Sequence, residues 1–194
     1  MNLLSEHHIT FLKGKKTLLR PLDRTKDMDY CLQWINDPDI TPFVRRFMPV
    51  SREEEQEWFD RHAHHKDAVT FMIETHKGKP IGVMGIDRID WKDRVGTTGA
   101  IIGDKRYWGK GYGTDAKMIL LNFAFNALNL RKMCSHVIAY NKRSLYYSLH
   151  CGYKIEGRLR AHHFKEGAYH DGIVLGLLKE EWLPYWKRYQ KNRR

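Results

Sequence analysis

The chain has 194 residues, of which 42% are hydrophobic and 12% aromatic, and this composition excludes a disordered chain and leaves room for one buried core. A formal net charge of +11 favours anionic partners such as cofactor phosphates, RNA or a lipid surface, and leans against a polycationic substrate unless the acceptor pocket carries a local acidic lining. Cys31, Cys134 and Cys151 are the cysteines, an odd number without Cys-x-x-Cys spacing, which excludes a disulfide framework and a zinc knuckle.

In chain order, residues Met1–Thr10 lack the apolar run of a secretory leader, and no later stretch approaches the ~18 to 20 apolar residues of a membrane span. A reducing, cytoplasmic setting without a membrane partner is the expectation. Lys16–Leu22 reads as a strand and Thr25–Ile35 as a helix, with Met28, Cys31, Leu32 and Ile35 at helical spacing and Asp37-Pro38 as its stop. Ser51 with Glu54 three residues later forms a capping-box signature for a helix from Arg52 to about Ala63, which buries Trp58 and Phe59. Val69–Thr75 and Pro80–Ile89 are β-rich runs around His76-Lys77-Gly78-Lys79 and predict a hairpin. Thr97–Gly103 is a third strand, Thr114–Leu128 an amphipathic helix, Met133–Ala139 a strand and Ser144–His150 a short helix. Tyr153–Arg160 and Ile173–Leu178 are strands joined by a polar connection containing Gly167. The whole is one domain over residues 1–194, with residues 1–12 and 187–194 read as flexible ends and the basic end as solvated.

The densest signal is Trp108-Gly109-Lys110-Gly111-Tyr112-Gly113-Thr114, a glycine-rich turn between a strand and a helix. Glycines let backbone approach a ligand closely, and successive free N–H groups at a helix N-terminus form an anion site, aided by the helix dipole and Lys110. The competing structural reading is a tight strand-to-helix turn with a solvated lysine. Two other phosphate motifs fail here. Lys110 is followed by Gly111 where a Walker loop needs Ser or Thr, and glycines spaced by two do not match the dinucleotide fingerprint.

This turn resembles the acetyl-CoA pyrophosphate loop of the GNAT superfamily of N-acetyltransferases, Gln/Arg-x-x-Gly-x-Gly/Ala, with Trp108 where Gln or Arg is usual. Asn141, Ser144, Gly152, Tyr153 and Glu156-Gly157 stand at the spacing of the second GNAT motif. Gly167-x-Tyr169-x-Asp171 follows, as in the branch containing ribosomal-protein-alanine and spermidine N-acetyltransferases. The resemblance covers roughly residues 16–183. It implies an α+β fold: a twisted mixed sheet of six to seven strands, helices on both faces and a splayed central parallel strand pair. It also implies acetyl-CoA as co-substrate, bound by Ile102, Trp108, Gly109, Lys110, Gly111, Tyr112, Gly113, Thr114, Asn141 and Ser144, with the Ile102 backbone N–H polarising the thioester carbonyl. The family tyrosine that protonates the leaving thiolate falls at Ser148, with Tyr147 beside it; Tyr146 and Tyr147 otherwise read as packing residues. The glutamate common before the loop falls at Thr97.

The expected activity is acetyl transfer to a primary amine in a ternary complex. The acceptor classes are a ribosomal or other protein N-terminus, a polyamine, an amino sugar or another small amine. The competing expectation is a catalytically silent acyl-CoA sensor or an RNA-associated binding module, although nucleic acid is disfavoured as a partner. Asp87, Asp90, Glu156 and Asp171 are candidates for the acceptor pocket, against the commoner role of ion-paired surface carboxylates. That pocket is expected from the region between Asp37 and Phe59 and from the connection near His162–His170. His62, His64, His65, His162, His163 and His170 lack metal-ligand spacing and read as surface histidines, so no metal is expected. The aromatic segment Trp182–Tyr189, with the family resemblance, argues for a homodimer.

Overall fold

A computed structural model describes residues 10–191. Residues 1–9 and 192–194, parts of the two ends read as flexible, lie outside the described residues. Strands β1 (Leu12–Lys13) and β2 (Thr17–Pro21) lead into helix α1 (Arg24–Ile35), which Asp23 caps by accepting from the amides of Thr25 and Lys26. Asn36 ends α1 and bridges to Val50 through both side-chain atoms, at 2.9 and 2.8 Å, which closes the intervening segment into a loop. The capping box at Ser51 and Glu54 forms in both directions and starts α2 (Arg52–Ala63). Strands β3 (Val69–Thr75), β4 (Pro80–Asp90) and β5 (Val95–Ile102) follow as an antiparallel meander.

Helix α3 (Tyr112–Asn122) begins two residues before the predicted start, because Gly111 takes a left-handed conformation as its N-cap. Its predicted continuation to Leu128 is instead a turn of π-helix over Phe123–Ala127. Strand β6 (Lys132–Ile138) and helix α4 (Lys142–His150) precede a long hairpin of β7 (Lys154–Lys165) and β8 (Ala168–Leu178). The expected polar connection near His162–His170 is thus extended strand, and the turn is confined to Glu166 and Gly167, both at positive φ. Backbone pairing across the hairpin outweighs the polar side chains there.

Helix α5 (Lys179–Lys191) was not expected as a helix, and residues 187–191 belong to it instead of to a frayed end. Its aromatic face explains why. Trp182 is fully buried, Trp186 stacks on it at 5.3 Å, and Tyr189 stacks on Trp186 at 5.2 Å. The aromatic segment that suggested a dimer therefore packs on the core of its own chain.

Among the described residues the sheet has eight strands in the order β1-β2-β3-β4-β5-β6-β8-β7, one more than expected because the short β1 extends an edge. All pairings are antiparallel except β5 with β6. One face buries Leu19, Phe71, Ile73, Ile86, Leu175 and Leu177 against α3 and α5. The other buries Met72 against Cys31, Trp34, Ile40 and Phe59 of the α1–α2 layer.

That second layer is fixed by a buried charge cluster as well as by apolar contact. Arg20 on β2 forks onto both Asp27 oxygens at 2.6 and 2.7 Å and donates through Nε to Glu74 at 2.7 Å. The two carboxylates hold the guanidinium above its usual pKa, with Asp27 the larger influence. Removing one partner of a buried pair leaves an uncompensated charge, which costs more than the pair contributes when intact. Asp27→Ala is therefore expected to destabilise the fold by about 3–5 kcal/mol, read from the urea midpoint at constant slope; an unchanged midpoint would refute this role.

Candidate active site

Strands β5 and β6 pair only at Val95–Lys132, Gly96–Met133 and Thr97–Cys134, after which they diverge. At the branch point the Thr98 hydroxyl lies 3.2 Å from the Cys134 carbonyl and 3.0 Å from the Tyr153 hydroxyl, so a polar clasp marks where the fork opens. A cavity of about 1190 Å³ occupies the fork. Consecutive residues Thr97–Ile102 of β5 and Ser135–Ile138 of β6 all line it. Because successive strand residues point to opposite faces, the cavity passes through the sheet.

The ladder also fixes which amides face it. Gly103 donates to the Ile81 carbonyl at 2.9 Å, and Ile102 lies opposite Gly82. By antiparallel alternation the amides of Ile101 and Gly99 face β4, while those of Ile102 and Ala100 face the edge that β6 has left. The Ile102 N–H thus points into the fork.

At the α3 end, Gly109 and Gly111 sit at φ +68° and +81°, conformations that side chains beyond glycine rarely adopt. No side chain caps the N-terminus of α3, so its first amides remain available to a ligand. Gly109, Gly111, Gly113 and Thr114 line the cavity; Lys110 and Tyr112 do not, and face a separate hollow of about 260 Å³ with Lys79 and Arg106. Any contact of Lys110 or Tyr112 with a cofactor in the main cavity therefore falls to their backbone, since the left-handed turns at Gly109 and Gly111 send the Lys110 side chain outward. The cations at the loop come from elsewhere. Lys16 lines the cavity and donates through Nζ to the Lys110 carbonyl at 2.9 Å, and Lys15 lines it beside Tyr189. Trp108 donates its indole N–H to the Ile102 carbonyl at 2.6 Å, and the Arg143 guanidinium stacks 3.7 Å over its ring. No local pattern announces Lys16 or Arg143, because each reaches the loop only through folding.

Asn141 and Ser144 both line the cavity, and Asn141 caps α4 by accepting from the Ser144 amide at 3.1 Å. Ser148 does not line it. Its hydroxyl is fully buried on the α3 side and accepts from Lys117 Nζ at 3.0 Å, which removes it from the position expected of a proton donor. Tyr147, turned ~100° from it around the helix, lines the cavity with Tyr146.

On the α1–α2 face the cavity is lined by Phe43, Val44, Arg45, Trp58, His62, Thr70, Asp87, Arg88, His136 and His163. His62 is not a surface histidine: its Nε2 lies 2.6 Å from the Thr70 hydroxyl, its ring stacks on Trp58 at 4.3 Å, and burial pulls its pKa down. Of the carboxylates considered for the acceptor pocket, Asp87 lines the cavity. Glu156 pairs with Lys132, Asp171 with Arg158, and Asp90 accepts from the Asp93 amide. Among the described residues no cluster of metal-ligating side chains occurs, and no helix is long and apolar enough to cross a membrane.

A glycine-cradled helix N-terminus beside a fork that opens an unpaired strand amide to a through-sheet cleft is the architecture of an acyl-CoA-dependent transferase. The chain belongs to the GNAT acetyltransferase family: residues 16–154 match the model of the acetyltransferase (GNAT) domain. It is an acyltransferase with acetyl-CoA as its co-substrate. It is 26% identical over 169 residues to the spermidine N(1)-acetyltransferase of Escherichia coli (strain K12), covering 87% of this chain and 89% of the relative. It is 30% identical over 174 residues to the uncharacterized SPbeta prophage-derived N-acetyltransferase YokL of Bacillus subtilis (strain 168), covering 89% and 96%. The crystal structure of spermidine N-acetyltransferase from Vibrio cholerae in complex with CoA and spermine superposes with a TM-score of 0.82 at 25% identity, covering 88% of this chain and 99% of that one.

Thr98→Val keeps the shape of the clasp but leaves the buried Tyr153 hydroxyl without this partner, so a loss of about 1–3 kcal/mol is expected. Thermal unfolding would measure it; a gain in stability would show that the clasp does not hold the fork.

Proposed function

We propose that the chain transfers an acetyl group from acetyl-CoA to a primary amine by direct attack in a ternary complex. The observation that carries this reading is the cavity through the sheet, with the glycine loop at one end and a polar recess at the other. The pyrophosphate is assigned to the α3 amides and to Gly109, Gly111, Gly113 and Thr114, with Lys16 and Arg143 supplying positive charge. Gly113 supports this fit: a Cβ there would meet only ordinary contacts, at 3.7 Å and beyond, so its openness suits a ligand and is not required by packing.

The Ile102 amide, fixed before substrate arrives, donates to the thioester oxygen as negative charge develops on it. Tyr147 supplies the proton that the departing thiolate takes up, while the amine loses its own through the polar recess. Burial pushes the Cys31 and Cys151 thiols up to about 12 and raises Cys134 as well, which favours direct attack over a cysteine-bound acetyl intermediate.

The relatives bring spermidine and spermine into the range of acceptors, beside protein N-termini, including ribosomal ones, and amino sugars. A silent acyl-CoA sensor or an RNA-associated module finds no support among these relatives. Cytoplasmic location, from the cysteine content and the lack of a long apolar run, and a homodimer, from family resemblance, are parts of the same proposal.

Thiol release from acetyl-CoA in the presence of an amine panel tests the reaction, and absence of release despite CoA binding would overturn it. Tyr147→Phe is expected to lower kcat ~10- to 100-fold with the KM for acetyl-CoA nearly constant. Ser148→Ala should instead lower stability by about 1–3 kcal/mol, through the bond it removes from buried Lys117. If kcat falls for Ser148→Ala and not for Tyr147→Phe, the assignment is wrong. Gly111→Val, placing a β-branched residue at φ +81°, should weaken CoA binding at least about tenfold by calorimetry.

A further inference from the structure

The polar recess on the α1–α2 face has a charge unlike that required by a polycation. Among the described residues, the carboxylates lining the cavity are Asp87 and Asp115. Asp115 lies at the loop end, where it already accepts from the amides of Lys15, Lys16 and Thr17, the Thr17 hydroxyl and the Tyr189 phenol. Asp87 is thus the carboxylate left for an ammonium group. The same lining carries Arg45, Arg88, His136, His163 and His62, the last close enough to Asp87 to feel its charge.

Arg88 reaches this recess by a specific backbone device. Regular alternation would send Asp87 and Arg88 to opposite faces of β4. Instead, the β4–β5 register shifts between Asp87 and Asp90, and Arg88 takes φ +51°. Ile86 and Ile89, three positions apart, both join the core cluster on the α3 side, which regular alternation would forbid, and this leaves Asp87 and Arg88 between them on the other side. A bulge that re-aims a side chain at the cost of left-handed backbone is the kind of strain kept at functional sites. Arg45 comes from the closed loop between α1 and α2, and among the described residues the guanidinium groups of Arg45 and Arg88 have no hydrogen bond or ion pair.

The histidines report the same field. Burial lowers the pKa of His136, and Arg88, Arg45 and His162 lower it further. Burial likewise lowers His163, with His162, Arg45, Lys165 and His136 adding to the effect. Arg45 and Arg88 are exposed residues of the cavity lining, and both lie close enough to His136 to lower its pKa, so two cations border the same stretch of the recess and favour an anion there. Arg side chains in particular match the planar oxygens of carboxylate and phosphate.

We infer that the acceptor is a primary amine that also carries an anionic group, a carboxylate or phosphate, held between Arg45 and Arg88 while Asp87 faces the amine. This rests on the acetyl-transfer reading and departs from the spermidine and spermine of the two spermidine N-acetyltransferases named above. An acceptor with ammonium groups along its length would meet Asp87 and then two arginines.

The test compares kcat/KM for glucosamine 6-phosphate with glucosamine, and for glutamate with spermidine, in the whole protein and in Arg45→Gln and Arg88→Gln. The anionic member of each pair is expected to be preferred at least about tenfold, and each variant should narrow that preference by a similar factor with the KM for acetyl-CoA unchanged. A preference for spermidine, or a preference for the anionic amines that both variants retain, would overturn the inference and leave acetyl transfer standing. Calorimetry of glucosamine 6-phosphate and glutamate on CoA-loaded protein supplies a readout independent of turnover. Binding of either that is lost in the variants, without turnover, would support the anion site and defeat the transferase reading; binding of neither would defeat the anion site.

Discussion

The divergence of β5 from β6 is the constraint on which the rest of the molecule depends. Two parallel strands that pair at three positions and then separate leave amides on β5 without ladder partners, at exposed Ala100 and half-buried Ile102, and such a free backbone edge favours renewed pairing. The fork therefore has to be held open by structure around it. Thr98, Cys134 and Tyr153 clasp its closed end, and α3 and α4 pack beside its arms. Opening the sheet creates both the through-passage and the ladder-free amide of Ile102, so one break in the pairing pattern produces the cavity and the backbone donor that faces it.

Two polar anchors keep the layers on either face in register with that fork. Asp115, in the first turn of α3, gathers the backbone of Lys15, Lys16 and Thr17 together with the Tyr189 phenol of α5. This places the Lys16 ammonium at the glycine loop, where a negative side chain in the first helical turn is itself favourable. On the opposite face, Arg20 with Asp27 and Glu74 fixes α1 on the sheet, and the loop closed by Asn36 and Val50 then carries Arg45 toward the recess. Charge is thus divided by position: cations at the loop end come from β-strand turns and α4, and cations at the recess come from the α1–α2 loop and a bulge in β4.

On α4, Ser148, where the sequence resemblance expects a tyrosine, turns its small hydroxyl inward to Lys117. Tyr147 then faces the cavity, with the Lys117 ammonium 4.2 Å over its ring. A phenol remains on the cavity side of the helix, one position earlier in the chain.

The sequence by itself determined the elements whose signals are local. The capping box at Ser51 and Glu54, the hairpin of β3 and β4, and the glycine turn before α3 each depend on residues within a few positions of one another, so spacing alone reveals them. The GNAT motifs likewise placed Gly109, Gly111, Gly113, Thr114, Asn141 and Ser144 around one cavity. Tertiary structure decided the rest. Whether Ser148 or Tyr147 faces the cleft depends on how α4 seats against α3, and the helical nature of residues 187–191 depends on Trp182, Trp186 and Tyr189 finding a core surface. Lys110, within the glycine motif, turns away because two left-handed residues flank it, while Lys16 and Arg143 arrive from outside the motif. Arg88 joins Asp87 only through a register shift against β5. Local patterns encode backbone conformation, whereas the direction of a side chain into a shared cavity is fixed by distant elements packing together.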